Sequence, residues 1–263
     1  MQIQIPHMAG SALLLFARAP EPEARAKAIG VTPQDTHTVF LGSVCRAIGV
    51  VDEHVDIVLP SDHVDGLRSI VRDTVGTGRR IVTVGVRGDG FGRRLFHALA
   101  ASFERGYAHV VVVVGDCPEL RPRHLMRALA FLQDGVPSVV GPSPDGGAYL
   151  LGLSRLPKKL FDGVTFCGGS TRAELVRSLT AHGLPPLLLE SVADIDSDDE
   201  LWRLRQRLQR LVPGSRLAAD VSRLVTTSPT ERTPAPARGS EDTVAGAPVR
   251  SSEFSRKARR LSR

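Results

Sequence analysis

Two hydrophobic periods alternate along the chain as far as Leu211. Short apolar runs recur at Ala12–Ala17, Val55–Leu59, Arg80–Val86 and His109–Val114. Between them apolar residues return every three or four positions. Thr36–Ile48 places Val39, Phe40, Val44 and Ile48 on one side, and Arg93–Arg105 does the same with Leu95, Leu99 and Phe103. The runs predict strands, and the unbroken β-branched residues of His109–Val114 predict one buried on both faces. The longer period predicts amphipathic helices. Val64–Thr74, Pro122–Leu132, Arg172–His182 and Asp198–Leu211 complete the predicted helices. Ser138–Gly141, Ala148–Gly152 and Pro186–Leu189 complete the strands. Strand–helix alternation implies an α/β fold, a mostly parallel central sheet with helices on both faces.

After Leu211 the pattern fades. From Thr227 onward Ser, Thr, Pro, Ala and Arg dominate, and such a segment cannot bury enough apolar surface to offset its ordering entropy. The expected organisation is therefore a folded domain over residues 1–212 and a C-terminal extension over 213–263. The extension is expected to become a largely disordered basic tail from about 227. The net charge of +6 sits mostly in that tail, where eight basic residues face four acidic ones. The remainder is close to neutral, so composition makes no case for a nucleic-acid partner.

Composition removes other classes. With 42% hydrophobic and 24% charged residues, the 263-residue chain is not a disordered, collagenous or disulfide-scaffold protein. No apolar run approaches the roughly 18 residues of a membrane span. The N-terminus lacks a basic start, an apolar stretch and a small-residue cleavage site, so no secretory signal is expected. Cys45, Cys117 and Cys167 are odd in number and form no C-x-x-C pair, which suits a reducing cytoplasm.

Four segments carry candidate chemistry. Asp116 and Cys117 follow directly on the buried strand at Gly115, in GDCPEL. A carboxylate at the carboxyl end of a parallel strand either holds a divalent metal against a diphosphate or caps the helix near Pro122. Glu119 offers a second carboxylate there. Asp145-Gly146-Gly147 joins two short strands, as a close-approach site for a ligand or as a tight turn. Asp194 and Asp196 flank Ile195; in an extended chain both carboxylates share one face. Ser197 and Glu200 then read as a capping box opening the last helix. Arg18, Arg25 and Lys27 lie in the basic loop after the first strand, where a nucleotide phosphate would lie.

Other constellations are weaker. Gly88-Asp89-Gly90-Phe91-Gly92 imitates a dinucleotide fingerprint but has G-x-G-x-G spacing. His54, Asp56, Asp62, His63 and Asp65 cluster in sequence and are expected at the surface. No G-x-S-x-G elbow occurs. No His stands near Cys117 or Cys167 to activate a thiol.

Taken in order, FARAPEP (Phe16–Pro22), GDGFGRRL (Gly88–Leu95), GDCPEL (Gly115–Leu120), GPSPDGGAYLLGL (Gly141–Leu153) and VADIDSDDEL (Val192–Leu201) resemble the DUF2064 family of bacterial glycosyltransferase-like proteins. The resemblance spans about Leu13 to Leu211. It implies a single-domain glycosyltransferase-A fold, Rossmann-like. That family is similar in turn to nucleotidyltransferases such as molybdopterin and phospholactate guanylyltransferases. The resemblance implies that Asp116 coordinates Mg²⁺ or Mn²⁺ and that Asp196 is a second metal or substrate contact. Asp145 would face the sugar or acceptor as general base. Arg18, Arg25, Lys27, Gly146 and Gly147 would hold the nucleotide phosphates. The implied partners are a nucleotide sugar or nucleotide and a small-molecule acceptor.

The chain departs from the family pattern at several points. Glu23 stands where the family has Gly, and its Lys-Thr-Arg run reads Ala26-Lys27-Ala28, so Lys27 substitutes only after a one-residue shift. Gly115 replaces a Ser or Thr, and Ala148-Tyr149 an aromatic pair. Phe166–Thr171 stands in for a Trp-Ser-Thr segment. The first expectation is a metal-dependent glycosyltransferase. The alternatives are a nucleotidyltransferase releasing pyrophosphate and a non-catalytic member with a decayed phosphate loop.

Overall fold

A computed structural model of the chain describes residues 10–225, apart from Ala28, Val31, Asp62, His63 and Thr77. The chain divides into two units, Met1–Pro229 and Thr230–Arg263. The second unit, and with it the basic tail read from the sequence, lies outside the described residues.

Among the described residues seven strands form one sheet: β1 (Ser11–Leu15), β2 (Asp56–Pro60), β3 (Ile81–Val84), β4 (His109–Val113), β5 (Ser138–Pro142), β6 (Ala148–Leu153) and β7 (Pro186–Leu188). Their order is β3-β2-β1-β4-β6-β5-β7. β6 runs antiparallel to β4 and β5, and the other pairs are parallel. The sheet is thus mostly parallel, as the alternation predicted. The exception arises because a short turn through Asp145 joins β5 to β6, and such a turn can only reverse the chain.

The helices are α1 (Pro20–Ala26), α2 (Pro33–Gly49), α3 (Val64–Val75), α4 (Phe91–Glu104), α5 (Pro122–Gln133), α6 (Thr171–Ala181), α7 (Asp198–Leu211) and α8 (Arg216–Leu224). Strand alternation divides the core between them. Leu13, Leu15, Val111 and Val113 pack with residues of α2, α3 and α5. Ala12, Leu14, Val110 and Val112 pack on the other face with residues of α4 and α6. Both layers are apolar because both sheet faces are covered, each fully buried aliphatic side chain contributing about 1.5–3 kcal/mol.

Two helices were not expected. The loop after β1 contains α1. Its prolines fit a first turn, where no intrahelical donor is needed, and Glu21, Glu23 and Arg25 complement its dipole. α8 lies in the segment assigned to the extension, yet Ser215 caps it and Ala218, Val221 and Val225 are buried against α7 and Phe40. The folded part therefore continues past 212 to Val225. Only tertiary burial marks this short helix as ordered.

From β1 the chain winds outward through β2 and β3. It then returns to place β4 on the other side of β1. Leu15 pairs with Val113 at the carboxyl ends of those two strands. That divergence opens a crevice at the switch point, where open α/β sheets bind ligands.

Candidate functional site

The crevice is a cleft of ≈ 260 Å³, and four chain segments supply its carboxylates and Lys27. The first is the β1 loop and α1, which contribute Phe16, Arg18, Glu23 and Lys27. The second follows β4, with Gly115 and Asp116. The third is the β5–β6 turn, with Asp145 and Gly147. The fourth is the stretch before α7, with Asp194 and Asp196. Phe91, Arg94 and Phe166 close one side.

Lys27 stands at the centre of the charges. Its Nζ lies 2.7 Å from Asp116 Oδ2, donates to Asp196 Oδ1 and is 3.8 Å from Glu23 Oε1. Burial works against the Lys27 charge, but Asp116 and Asp196 outweigh it and raise its pKa above the ordinary value. The one-residue shift noted in the sequence does not keep Lys27 from the site. Glu23 is also paired with Arg18 at 3.5 Å.

Asp116 does not cap α5. The residue before that helix is Arg121, whose N–H donates to His124 Nδ1 at 3.2 Å. Asp116 instead faces the cleft, and its carbonyl accepts the N–H of Ile195 at 3.1 Å. That bond fixes the Asp194–Asp196 segment beside the β4 end. Ile195 is buried among α7 and α8 while Asp194 and Asp196 line the cleft, as the alternation predicted. Ser197 caps α7 by accepting from Glu200 N–H. The Glu200 carboxylate holds the N–H of Asp196 at 2.8 Å. The helix cap therefore also positions a cleft carboxylate. Burial, with like charge from Asp145, Asp116 and Asp196, pushes the Asp194 carboxyl up to about 7.

Asp145 Oδ1 accepts the Gly147 N–H at 2.8 Å, so the side chain shapes the turn as well as facing the cleft. Gly146 has a turn role of its own. At a φ of 94°, a Cβ there would lie 2.0 Å from the Gly169 carbonyl oxygen. Gly147 lines the cleft and Gly146 does not. Gly115 is also sterically required: a Cβ would come within 2.7 Å of Ala17 Cβ.

Not every candidate reaches the cleft. Arg25 is exposed and paired with Glu21 at 2.5 Å, outside the lining. Glu119 turns away and takes a two-pronged ion pair from Arg207 of α7. Asp56, expected at the surface, is buried and bonded to Tyr107 at 2.5 Å. Asp62 and His63 lie outside the described residues.

Sequence reasoning missed the aromatic side of the cleft. Phe91 stacks edge-on with Phe16 at 5.1 Å and lies 5.2 Å from Phe166. The signal was indirect: three aromatics from distant segments share no local pattern. His37 also lines the cleft, its pKa lowered by burial and by Lys27. A second, more open groove of ≈ 700 Å³ shares Phe91, Phe166 and Cys167 with the first.

Among the described residues no helix is long and apolar enough to cross a membrane. No group of three or more His, Cys, Asp or Glu there has the arrangement of a metal site.

Comparison with known proteins places this architecture. The solved structures it resembles include a protein of Desulfovibrio desulfuricans G20 provisionally named a nucleotide-diphospho-sugar transferase. The TM-score is 0.66 at 22% identity, covering 82% of this chain and 95% of that one. A 4-diphosphocytidyl-2C-methyl-D-erythritol synthase of Anaerococcus prevotii DSM 20548 matches at TM-score 0.49 and 14% identity, covering 76% and 98%. A cytidylyltransferase of Leptospira borgpetersenii serovar Hardjo-bovis matches at TM-score 0.48 and 16% identity, covering 86% and 99%. No curated protein matches the sequence. The fold is that of glycosyltransferase-A proteins, and residues 54–167 match the family DUF2064, described as an uncharacterized protein conserved in bacteria, which bears out the resemblance drawn from the motifs.

Proposed function

We propose that the chain is a divalent-cation-dependent glycosyltransferase that uses a nucleotide-sugar donor. One observation carries this reading: Lys27, Asp116 and Asp196, from three separate segments, converge at the switch point of the sheet. This is where a diphosphate and its counter-cation would lie in such a fold. The fold likeness to the Desulfovibrio desulfuricans protein supports the same substrate class.

The donor set fits a small hard cation. Asp116 Oδ2 and Asp196 Oδ1 already converge on one positively charged atom, and both are hard oxygens. Two carboxylates are too few for an all-protein cage. They suit Mg²⁺ or Mn²⁺, which commonly takes one or two carboxylates and completes its shell with water and substrate phosphate. When bound, the cation would neutralise charge on the departing nucleoside diphosphate. Lys27, with Arg18 at the cleft wall, would add hydrogen-bond donors to the phosphates. The Gly147 backbone would permit close approach. Asp145 and Asp194 would face the sugar and acceptor, Asp145 as general base. The Phe16–Phe91–Phe166 side offers apolar surface for a base or sugar. The acceptor is a small molecule. Arg25 and Gly146 take no part in this reading, being outside the lining.

The test is a thermal-shift screen of nucleotides and nucleotide sugars with and without Mn²⁺, on the native chain and on Asp116→Ala. A ligand at a hundredfold excess over its Kd stabilises the native state by about 2.7 kcal/mol. A Mn²⁺-dependent shift with a nucleotide sugar, lost in Asp116→Ala and followed by nucleoside diphosphate release, supports the reading. Pyrophosphate release from a nucleoside triphosphate replaces it with a nucleotidyltransferase. No shift with any nucleotide, from a chain that melts cooperatively, overturns it.

A further inference from the structure

The place between Asp116 and Asp196 is held by the chain's own cation. Lys27 Nζ is 2.7 Å from Asp116 and donates to Asp196. Its third carboxylate, Glu23 at 3.8 Å, is shared with Arg18. A divalent ion taking the same two oxygens would stand against the ammonium at contact distance in a partly buried cleft. Like charges at that separation repel strongly where water screens poorly. The two cations therefore compete for those two oxygens.

Resting on the reading in Proposed function, we propose that Lys27 and the divalent cation are alternative occupants of the Asp116–Asp196 pair. Arrival of the metal moves the Lys27 ammonium from the carboxylates to the donor's phosphates. Without ligand, Lys27 offsets part of the negative charge of a cleft that also contains Asp145 and Asp194. With ligand, the metal takes the carboxylates and Lys27 gains a new anion.

The local structure permits the exchange. Lys27 lies just past α1 in extended backbone, held to the helix by one N–H bond to Glu23 O at 3.1 Å. Its four-carbon stem is flexible, and its point charge carries no fixed bidentate geometry. Metal alone should bind weakly, because it must displace an ion pair. Metal with a diphosphate should bind with positive coupling, because the displaced ammonium finds a partner.

The experiment is a Mn²⁺ titration of the full chain without nucleotide, with free Mn²⁺ read by electron paramagnetic resonance. The wild type is compared with Lys27→Met, Asp116→Asn and the double variant, each checked for a cooperative melt. Lys27→Met should bind one Mn²⁺ at least about tenfold more tightly than the wild type, the gain expected from freeing charge-assisted bonds. The gain should vanish in the double variant. Lys27→Gln should reproduce it, and provides the same test if Lys27→Met does not fold. Lys27→Arg, which keeps the charge, should not. Equal affinity in wild type and Lys27→Met, lost in Asp116→Asn, overturns the exchange and leaves the metal reading standing. Failure of every variant to bind Mn²⁺ without nucleotide overturns the exchange alone; the metal reading itself falls only if the thermal shift with nucleotide is also independent of Mn²⁺.

Discussion

Lys27 and Asp116 are 89 positions apart in the chain and meet in a 2.7 Å ion pair. Their strands, β1 and β4, are immediate neighbours in the sheet, so the segments leaving them share one crevice. The pair joins the segment expected to carry phosphate-binding groups to the one expected to carry a carboxylate.

The basic residues of that first segment should separate in function. Lys27→Ala should weaken nucleotide binding at least about tenfold, the value of one lost charge-assisted contact. Arg25 is exposed and paired only within its helix. Arg25→Ala should leave nucleotide affinity unchanged and alter stability by about 0.5 kcal/mol or less. Titration calorimetry with the donor found in the screen, together with urea melts, checks both.

Gly146 is expected to matter through the backbone. Gly146→Ala must adopt a left-handed conformation and also drive its Cβ toward the Gly169 carbonyl. The two effects together should destabilise by about 2–4 kcal/mol. Urea unfolding measures it; a loss under about 0.5 kcal/mol would contradict the assigned turn.

The Arg207–Glu119 pair ties α7 to the turn after Asp116. Arg207→Ala leaves a partly buried carboxylate without its two-pronged partner. It should cost about 1 kcal/mol in chemical denaturation. Glu119 lies outside the cleft lining, so the Mn²⁺ affinity of the variant should match that of the wild type.

Acid should act through His124. Burial lowers its pKa from 6.5, Arg123 lowers it further, and Glu190 offsets part of that. Its Nδ1 also accepts an N–H bond that requires the neutral ring. The unfolded chain takes up this proton near 6.5 and the folded chain only below it. The stability that His124 contributes is therefore complete above 6.5 and is lost as pH falls through 6.5 toward the folded value. Burial gives His109 the same sign. Asp194, raised to about 7, has the opposite sign: its contribution fades as pH rises through 7. Comparing Tm between about pH 7.5 and 5.5 in the wild type and His124→Gln cancels the other groups. The acid-side loss should be smaller in the variant.

Local periodicity disclosed most of the fold. β4 and α7 are visible because their patterns repeat over enough residues to fix a period, and Ser197 with Glu200 marks a helix start by chemistry alone. The extended Asp194-Ile195-Asp196 likewise revealed which side chains share a face. α1 and α8 were not visible. Each is short, and the prolines of one and the charges of the other imitate loop composition.

The chain's sequence thus determined the strands and the longer helices, which strand ends carry carboxylates and which residues are able to bind a phosphate or a cation. Only the tertiary structure decided which of them meet. It brought Lys27 between Asp116 and Asp196, turned Glu119 to Arg207, left Arg25 in solvent, and gathered Phe16, Phe91 and Phe166 into one wall. The physical reason is range. Backbone preference and hydrophobic period act over a few residues, whereas an ion pair across 89 positions exists only after the sheet order has placed two strand ends side by side.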